Sequence, residues 1–297
     1  MKKLRFHYDM ELMFSNPVAE HHFVFRCLPA EDRQQRCYGL TCEIEPSGGV
    51  LELTDGFGNR TCVGESMEPH DSLRVHVAGT VFVDRSLAGE KADNAHALFR
   101  FPSAYTMADR RVREFLEDAK KAWKPGNFQG SGSVGSVREG GKFWGPKDER
   151  SLDFLLYLMN LLYSYFSYVP GKTDVTTTAA QALEGGGGVC QDYAHIFLSM
   201  CRLMGFPARY VAGMMVGEGA THAWAEVWTD GAWIGFDPTN NRLAGDDYIK
   251  LSHGRDFGDC TIDKGCFKGF AAQKQNIHVK VEESYGEDCG FRRSSGR

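Results

Sequence analysis

The sequence predicts an α+β protein in which a helix that starts with a cysteine packs on an antiparallel sheet, preceded by a β-sandwich-like domain. Three observations support this fold class. Residues 1–84 alternate in period two over short runs separated by Gly, Asn, Asp and Pro. Apolar side chains between 193 and 204 recur at three- and four-residue steps, which is typical of a buried helix. Strand-like runs follow, and Asp230-Gly231 is a strong hairpin signal between the last two.

Composition and charge limit the classes of protein to which the chain can belong. Its 297 residues are enough for one large or two ordinary domains, and 42% hydrophobic with 25% charged residues is typical of a soluble globular protein. A net charge of −5 disfavours a nucleic acid or an anionic membrane as partner. The sequence has neither a bilayer-length apolar stretch nor a signal-peptide h-region. We therefore expect a cytoplasmic protein, with its oligomeric state left open.

The predicted elements divide the chain into four parts. A β domain comes first, then a helix over about 108–123 with a Gly/Ser-rich loop, then a catalytic region and a short tail. The catalytic region opens with residues 151–169, which are apolar nearly all round and predict a buried helix. The Gly/Ser-rich loop is interpreted as either a plain linker or a flap near a site. The boundaries of the four parts are 1–104, 105–147, 148–285 and 286–297.

The cysteines predict neither a disulfide framework nor a metal site. There are nine of them, with no CxxC pair and no compact Cys/His ligand spacing. Without a secretion signal, reduced thiols are the default, and most of these thiols are expected to be inert. The late group His253, Cys260, Cys266 and Cys289 matches no zinc-finger spacing. We therefore expect no metal and no cofactor.

One cysteine stands apart because it opens the predicted helix. The N-terminus of a helix favours a thiolate at Cys190, and a nucleophile of this kind needs a base and a group that orients the base. His222 starts one strand of the predicted hairpin, and Asp237 ends the other, fifteen residues later. Pairing about a two-residue turn places position 222 near 239 and within reach of 237. The sequence thus predicts a Cys-His-Asp arrangement.

Four further residues lie close in the sequence to Cys190 or His222. His195 lies five positions after Cys190, rotated by roughly 140° around the helix, so we expect a hydrogen-bonded core or rim histidine. Asp192 is expected to stabilise the helix terminus. Gln191 could donate to an oxyanion or simply lie at the surface. Trp224 could shape a substrate cleft or belong to the core.

These segments resemble a known family. "GVCQDYAHIFLSMCRLMGFPARYVAGMM" and "HAWAEVWTDGAWIGFDPTNN" resemble the core of the transglutaminase-like superfamily, in a bacterial branch often described as cysteine proteases. The likeness covers roughly residues 150–260, and "TDGFGNRTCV" resembles the N-terminal domain of this branch. It implies a transglutaminase/papain-like core, with Cys190 as nucleophile, His222 as base and Asp237 as acid. In place of the family's usual single glycine stands "EGGGG", which we interpret as a looser approach loop or a wider cleft.

The resemblance and the Cys-His-Asp arrangement leave three classes of function. The first is a thiol-dependent amide hydrolase that acts on peptide, isopeptide or glutamine amides through a thioester. The second is a protein-glutamine acyltransferase that uses the same intermediate, and the third is a non-catalytic binding module. Because the glycine run and the Gly/Ser-rich loop suggest an entrance open to water, we expect hydrolysis of a peptide or protein amide substrate.

Overall fold

The structure, a computed structural model, describes residues 1–86, 97–124, 152–229 and 231–284. Asp230, most of the Gly/Ser-rich loop and the tail lie outside these ranges. None of the helices within them is both long and apolar enough to cross a membrane. The helical elements are a 3-10 turn at Ala97–Arg100, α1 Arg110–Ala122, α2 Leu152–Tyr165, α3 Ala179–Gly185, α4 Cys190–Leu203 and α5 Phe257–Cys260. The strands are β1 Lys2–Phe25, β2 Gln35–Glu45, β3 Gly49–Thr54, β4 Arg60–Ser66, β5 His70–Val83, β6 Ser167–Tyr168, β7 Gly187–Gly188, β8 Ala208–Met215, β9 Gly217–Gly219, β10 His222–Thr229, β11 Ala232–Asp237, β12 Arg242–Leu243, β13 Tyr248–Gly254, β14 Asp263–Lys268 and β15 Gln273–Glu283.

Strand β1 organises the first half of the molecule. Its buried side chains alternate along the strand as the period-two pattern predicts, from Leu4 through Phe6 and Tyr8. The first part of β1 pairs with β5, and its last part pairs with β4, with a register shift between Met13 and Val18. One long strand therefore belongs to two parts of the same eight-stranded sheet.

The C-terminal strands complete this sheet. Strand β15 pairs antiparallel with β1 from Leu4↔Glu283 to Phe14↔Gln273, and β14 pairs with the end of β1. The short strand β9, from the middle of the chain, adds to the free edge of β15. The sequence analysis assigns residues 263–283 to the catalytic region, whereas their backbone hydrogen bonds join them to the N-terminal strands.

A second sheet carries the candidate site. Its five strands run in the order β12-β11-β10-β8-β13, and every adjacent pair is antiparallel. Helix α4, which is buried from Gln191 to Arg202, packs on β10 and β8. Three apolar side chains of this sheet, Met214, Ile249 and Leu251, belong instead to the hydrophobic core of the first half. The two sheets therefore share buried apolar contacts.

The glycine run before α4 is a packed segment, which corrects the expectation of a loose approach loop. Gly186 ends α3 in the left-handed conformation, at φ 68°, where a side chain would be strained. The next two glycines are buried and form β7, which pairs in parallel with Ser167–Tyr168. A Cβ at Gly188 would lie 2.3 Å from Oδ2 of Asp192. The glycines are thus needed for a turn and for a close approach.

Candidate active site

Helix α4 begins at Cys190, as the sequence predicts, and its first turn is anchored by a carboxylate. The half-buried Cys190 follows the N-cap residue Val189. Asp192 accepts a hydrogen bond from the Val189 N–H at 2.7 Å and another from the Thr173 hydroxyl at 2.6 Å. Burial raises the pKa of Asp192 against the opposing effect of these hydrogen bonds. Asp192 therefore fixes the backbone at the start of α4, where Cys190 lies.

The hairpin of β10 and β11 positions the other two predicted residues. Its register runs from Ala225↔Phe236 to Thr229↔Ala232, so the two connecting positions are 230 and 231. Gly231 has φ 78°, the left-handed conformation that such a turn requires. If this register is continued past Ala225↔Phe236, position 222 lies opposite position 239. His222 and Asp237 consequently lie at one end of the hairpin.

The side chains of Cys190, His222 and Asp237 meet at this end. Nε2 of His222 lies 2.7 Å from Oδ2 of Asp237, and the Cys190 thiol is a second hydrogen-bonding partner of the His222 side chain. Burial lowers the pKa of His222, but the hydrogen bonds and charges of Asp237 and Cys190 outweigh it and raise that pKa to about 10. The geometry therefore favours an imidazolium between two acidic partners.

Asp237 is held by residues that the sequence analysis did not single out. Its Oδ2 accepts hydrogen bonds from the Tyr248 hydroxyl and from Nδ2 of Asn240, both at 2.7 Å, while Oδ1 accepts the N–H of Thr239 at 3.0 Å. Burial raises the pKa of Asp237, but its bond to His222 and these further contacts lower it below its usual value of 3.8. The carboxylate stays ionised although its side chain is fully buried.

A further residue holds Tyr248 in place. Nε of Arg242 donates to the Tyr248 hydroxyl at 2.9 Å, and the guanidinium lies over the tyrosine ring, 4.7 Å from its centroid. Because the hydroxyl accepts from Arg242, its own proton is directed at Asp237. Asn240 lies in the "DPTN" turn that begins at Asp237, so the sequence alone could have identified it as a neighbour of the carboxylate. No pattern in the sequence near Tyr248 or Arg242 indicates their contacts with this site.

The structure corrects the substrate-contact role considered for Trp224. Its side chain is only 1% exposed. The ring stacks near His222 at 6.4 Å and meets Tyr248 edge-on at 5.3 Å. It therefore supports the histidine from the core. Gln191 is also buried, and its amide donates to the Val175 carbonyl at 3.4 Å.

His195 lies away from this group, inside the core. Its side chain is fully buried, and its Nε2 accepts the N–H of Phe257 at 3.1 Å. Burial lowers its pKa to about 3, with a smaller effect from Arg202, so the ring is neutral. The structure thus places it as a hydrogen-bonded core histidine.

A cleft of about 770 Å³ opens beside His222. One wall follows the end of α2 and strand β6, and the other follows the turn after β11. Both aromatic side chains and small polar groups line it, as in many ligand-binding clefts. The lining residues are Tyr163, Ser164, Phe166, Ser167, Tyr168, Tyr193, Met215, His222, Thr239 and Asn240.

Comparisons with known proteins agree with this architecture. The family described as "Transglutaminase-like superfamily" matches residues 143–238, and the "Bacterial transglutaminase-like N-terminal region" matches residues 4–82. A crystal structure titled as a "Putative Cysteine Protease" from Cytophaga hutchinsonii superposes with a TM-score of 0.69. It covers 98% of this chain and 93% of that one at 21% identity, a likeness of fold.

Two mycobacterial proteins, both named as uncharacterized, are among the relatives of the chain. An uncharacterized protein of Mycobacterium leprae is 39% identical over 128 residues, which are 40% of this chain and 46% of that protein. An uncharacterized protein of Mycobacterium tuberculosis (strain H37Rv) is 28% identical over 275 residues, 84% of this chain and 82% of that protein. The match thus spans less than half of the first relative and most of the second. With a transglutaminase-like core joined to a bacterial transglutaminase-like N-terminal region, the chain belongs to the transglutaminase-like superfamily.

Proposed function

We propose that the protein is a thiol-dependent amide hydrolase that uses Cys190, His222 and Asp237. The observation that carries the proposal is the contact of His222 with both partners: the 2.7 Å bond to Asp237 on one side and the Cys190 thiol on the other. A nucleophile, a base and a group that orients the base are the requirements of covalent acyl transfer. The hydrogen bonds that Asp237 accepts from Tyr248, Asn240 and the Thr239 N–H keep that orienting charge in place.

In the proposed reaction, the proton shared by Cys190 and His222 lies on the imidazole, whose pKa is raised to about 10, and the Cys190 sulfur attacks the carbonyl carbon of a bound amide. The N–H of Cys190, at the positive end of α4, stabilises the oxyanion, an effect of roughly 3 kcal/mol for one donor. The imidazolium then protonates the departing amine, and a thioester remains on Cys190. Water attacks the thioester with His222 as base, which releases a carboxylic acid and restores the Cys190 sulfur beside the imidazolium.

The cleft supports hydrolysis over transfer to an amine. A transferase must keep water from its thioester until the amine arrives. Here one wall of the cleft beside His222 presents Ser164 and Ser167 and the other presents Thr239 and Asn240, whose hydroxyl and amide groups bind water. A thioester on Cys190, the neighbour of His222, would therefore form beside a hydrated cleft. We propose a peptide or protein amide as the substrate, with no nucleic acid or membrane partner, in the cytoplasm.

The experiment supplies water and a primary amine together, so that the thioester can react with either. A mixed library of glutamine-containing peptides is incubated with the protein and an excess of a primary amine, and the products are identified by mass spectrometry. We expect cleaved or deamidated peptides with the unaltered protein and with Cys266→Ala, which removes an exposed thiol far along the chain. Cys190→Ala should abolish these products.

The other outcomes decide between the alternatives. Amine-adducted peptides as the main product would contradict hydrolysis and identify an acyltransferase. The absence of any product, with Cys190 intact and the protein folded, would contradict both amide hydrolysis and acyl transfer. It would favour a non-catalytic binding module. Products that persist in Cys190→Ala would contradict the assignment of the nucleophile.

A further inference from the structure

Three cysteines that are distant in the sequence converge in the N-terminal half. Cys27 follows the end of β1, Cys42 lies in β2 and Cys62 lies in β4. Their Sγ atoms all lie within 4.8 Å of one another. Cys27 and Cys62 are buried, whereas Cys42 is exposed. The arrangement is therefore a pocket of sulfur atoms with one side open to solvent.

The spacing of these sulfur atoms matches that of ligands around one metal ion. With metal–sulfur bonds of about 2.3 Å, two thiolates of a tetrahedral zinc site lie ~3.8 Å apart. The Sγ atoms of Cys42 and Cys62 are 3.7 Å apart. A disulfide would require about 2.05 Å. Little movement of the side chains would be needed to close the three thiolates around an ion.

We propose that Cys27, Cys42 and Cys62 form a three-thiolate site for a soft d10 metal ion of the Zn²⁺ and Cd²⁺ type. The fourth coordination position lies on the side of Cys42 and is filled by water or by an external ligand. Each thiol gives up its proton when it binds, so a divalent ion and three thiolates leave a site of charge −1.

Such a site would tie together strands that the sheet alone does not pair with one another. Strand β2 pairs with β5, whereas β4 pairs with β1 and β3. A metal bound to Cys42 and Cys62 would therefore link two strands that share no ladder. Because the ligands come together only in the folded chain, binding should also stabilise the fold.

The test uses the full chain with Cys190→Ala as background, so that the proposed nucleophile cannot compete for metal. The protein is reduced, freed of metal and titrated with Cd²⁺ alone, while the ultraviolet thiolate-to-cadmium absorption and the native mass are recorded. We expect one ion per chain and the release of protons. Cys42→Ser should weaken binding by more than the about 10–100-fold that follows from loss of an outer-shell partner.

Cys266→Ser provides the matched control, because Cys266 is another exposed strand cysteine that lies outside the cluster. It should leave binding unchanged. Cd²⁺ should also raise the urea midpoint of the background protein and not that of Cys42→Ser, which separates metal binding from a folding defect. Failure of the background protein to bind, or undiminished binding in Cys42→Ser, would overturn the proposal.

Discussion

At the level of single residues, the charge of His222 is set by its two partners. Asp237 and Cys190 raise its pKa from 6.5 to about 10, although burial acts in the opposite direction. In the unfolded chain the histidine lacks these partners and returns to an ordinary pKa. Proton binding by His222 is therefore linked to folding and to the reactivity of the site.

The first prediction concerns stability against pH. A group whose pKa is higher in the folded state contributes stability that is complete below its unfolded pKa and is lost as the pH rises through the folded value. The contribution of His222 should thus decline between about pH 6.5 and about pH 10. Urea unfolding across this range should show a steeper loss of unfolding free energy for the unaltered protein than for His222→Gln. Parallel curves for the two proteins would contradict the raised pKa.

The second prediction concerns thiol reactivity. Cys190 should react fastest with limiting iodoacetamide at neutral pH, because it lies at a helix terminus beside His222. Peptide mass spectrometry of the labelled protein measures this. His222→Ala should slow the labelling of Cys190, whereas His278→Ala, which removes an exposed histidine bonded to Glu218, should leave it unchanged. Faster labelling of Cys42 or Cys266 than of Cys190 would contradict the prediction.

The third prediction concerns Tyr248, whose hydroxyl bonds the ionised Asp237. Tyr248→Phe should lower the unfolding free energy by about 1.5–3 kcal/mol, the usual range for a hydrogen bond to a charged group, and should slow labelling of Cys190. Tyr8→Phe is the matched control, because Tyr8 is equally buried and its hydroxyl has no hydrogen-bond partner among the described residues. It should cost no stability. Equal losses of unfolding free energy in Tyr248→Phe and Tyr8→Phe would contradict a stabilising role for the hydrogen bond from Tyr248 to Asp237.

At the level of the elements, the start of α4 depends on the close contact between a glycine and a carboxylate. Asp192 reaches back to the N–H of Val189, and this brings its Oδ2 against the Cα of Gly188. The side-chain-free segment β7 fits into the space that remains beside β6. The packing of Gly188 and β7 thus helps to set the position of Cys190 at the start of α4.

The fourth prediction tests this contact. Gly188→Ala places a Cβ 2.3 Å from Asp192 and should destabilise the protein by about 1–3 kcal/mol through overpacking. It should also slow labelling of Cys190, because α4 or Asp192 must move. Gly185→Ala serves as control within the same run, since its nearest contact would be 3.7 Å away, on the flexible Lys172 side chain. Comparable stability of Gly188→Ala and Gly185→Ala would contradict the packing argument.

At the level of the whole molecule, the two halves of the chain are interleaved. The C-terminal strands β14 and β15 pair with β1, and Met214, Ile249 and Leu251 enter the N-terminal core. The first sheet is therefore built from both ends of the chain, whereas the five strands of the second come from residues 208–254 and share apolar contacts with it. We expect the two sheets to unfold together.

The fifth prediction follows from this interleaving. All five tryptophans lie at position 123 or later, so their fluorescence reports unfolding outside the first strands. Phe6→Ala, in the buried face of β1, should cost about 3–5 kcal/mol and shift the tryptophan transition in urea. Phe270→Ala, at a residue 96% exposed, should not shift it. A tryptophan transition unmoved by Phe6→Ala would show that the halves unfold independently.

The sequence by itself determined the features that depend on neighbours along the chain. The helix start at Cys190 follows from an apolar repeat that begins after a glycine run, and the alternation in β1 follows from a period of two. The proximity of His222 to Asp237 follows from one hairpin, because a two-residue turn fixes which positions lie opposite each other. In each case the physical constraint acts within about twenty residues.

Tertiary structure alone decided the features that join distant segments. The bond from Tyr248 to Asp237 depends on how β13 lies beside β8, and no spacing in the sequence encodes that order of strands. The sequence analysis treated the cysteines as unrelated because it looked for compact spacing, whereas Cys27, which follows β1, meets Cys42 of β2 and Cys62 of β4 only in the folded chain. The packed glycine run likewise depends on β6 and Asp192. Contacts of this kind are set by the register and packing of whole sheets, which local hydrophobic periodicity does not specify.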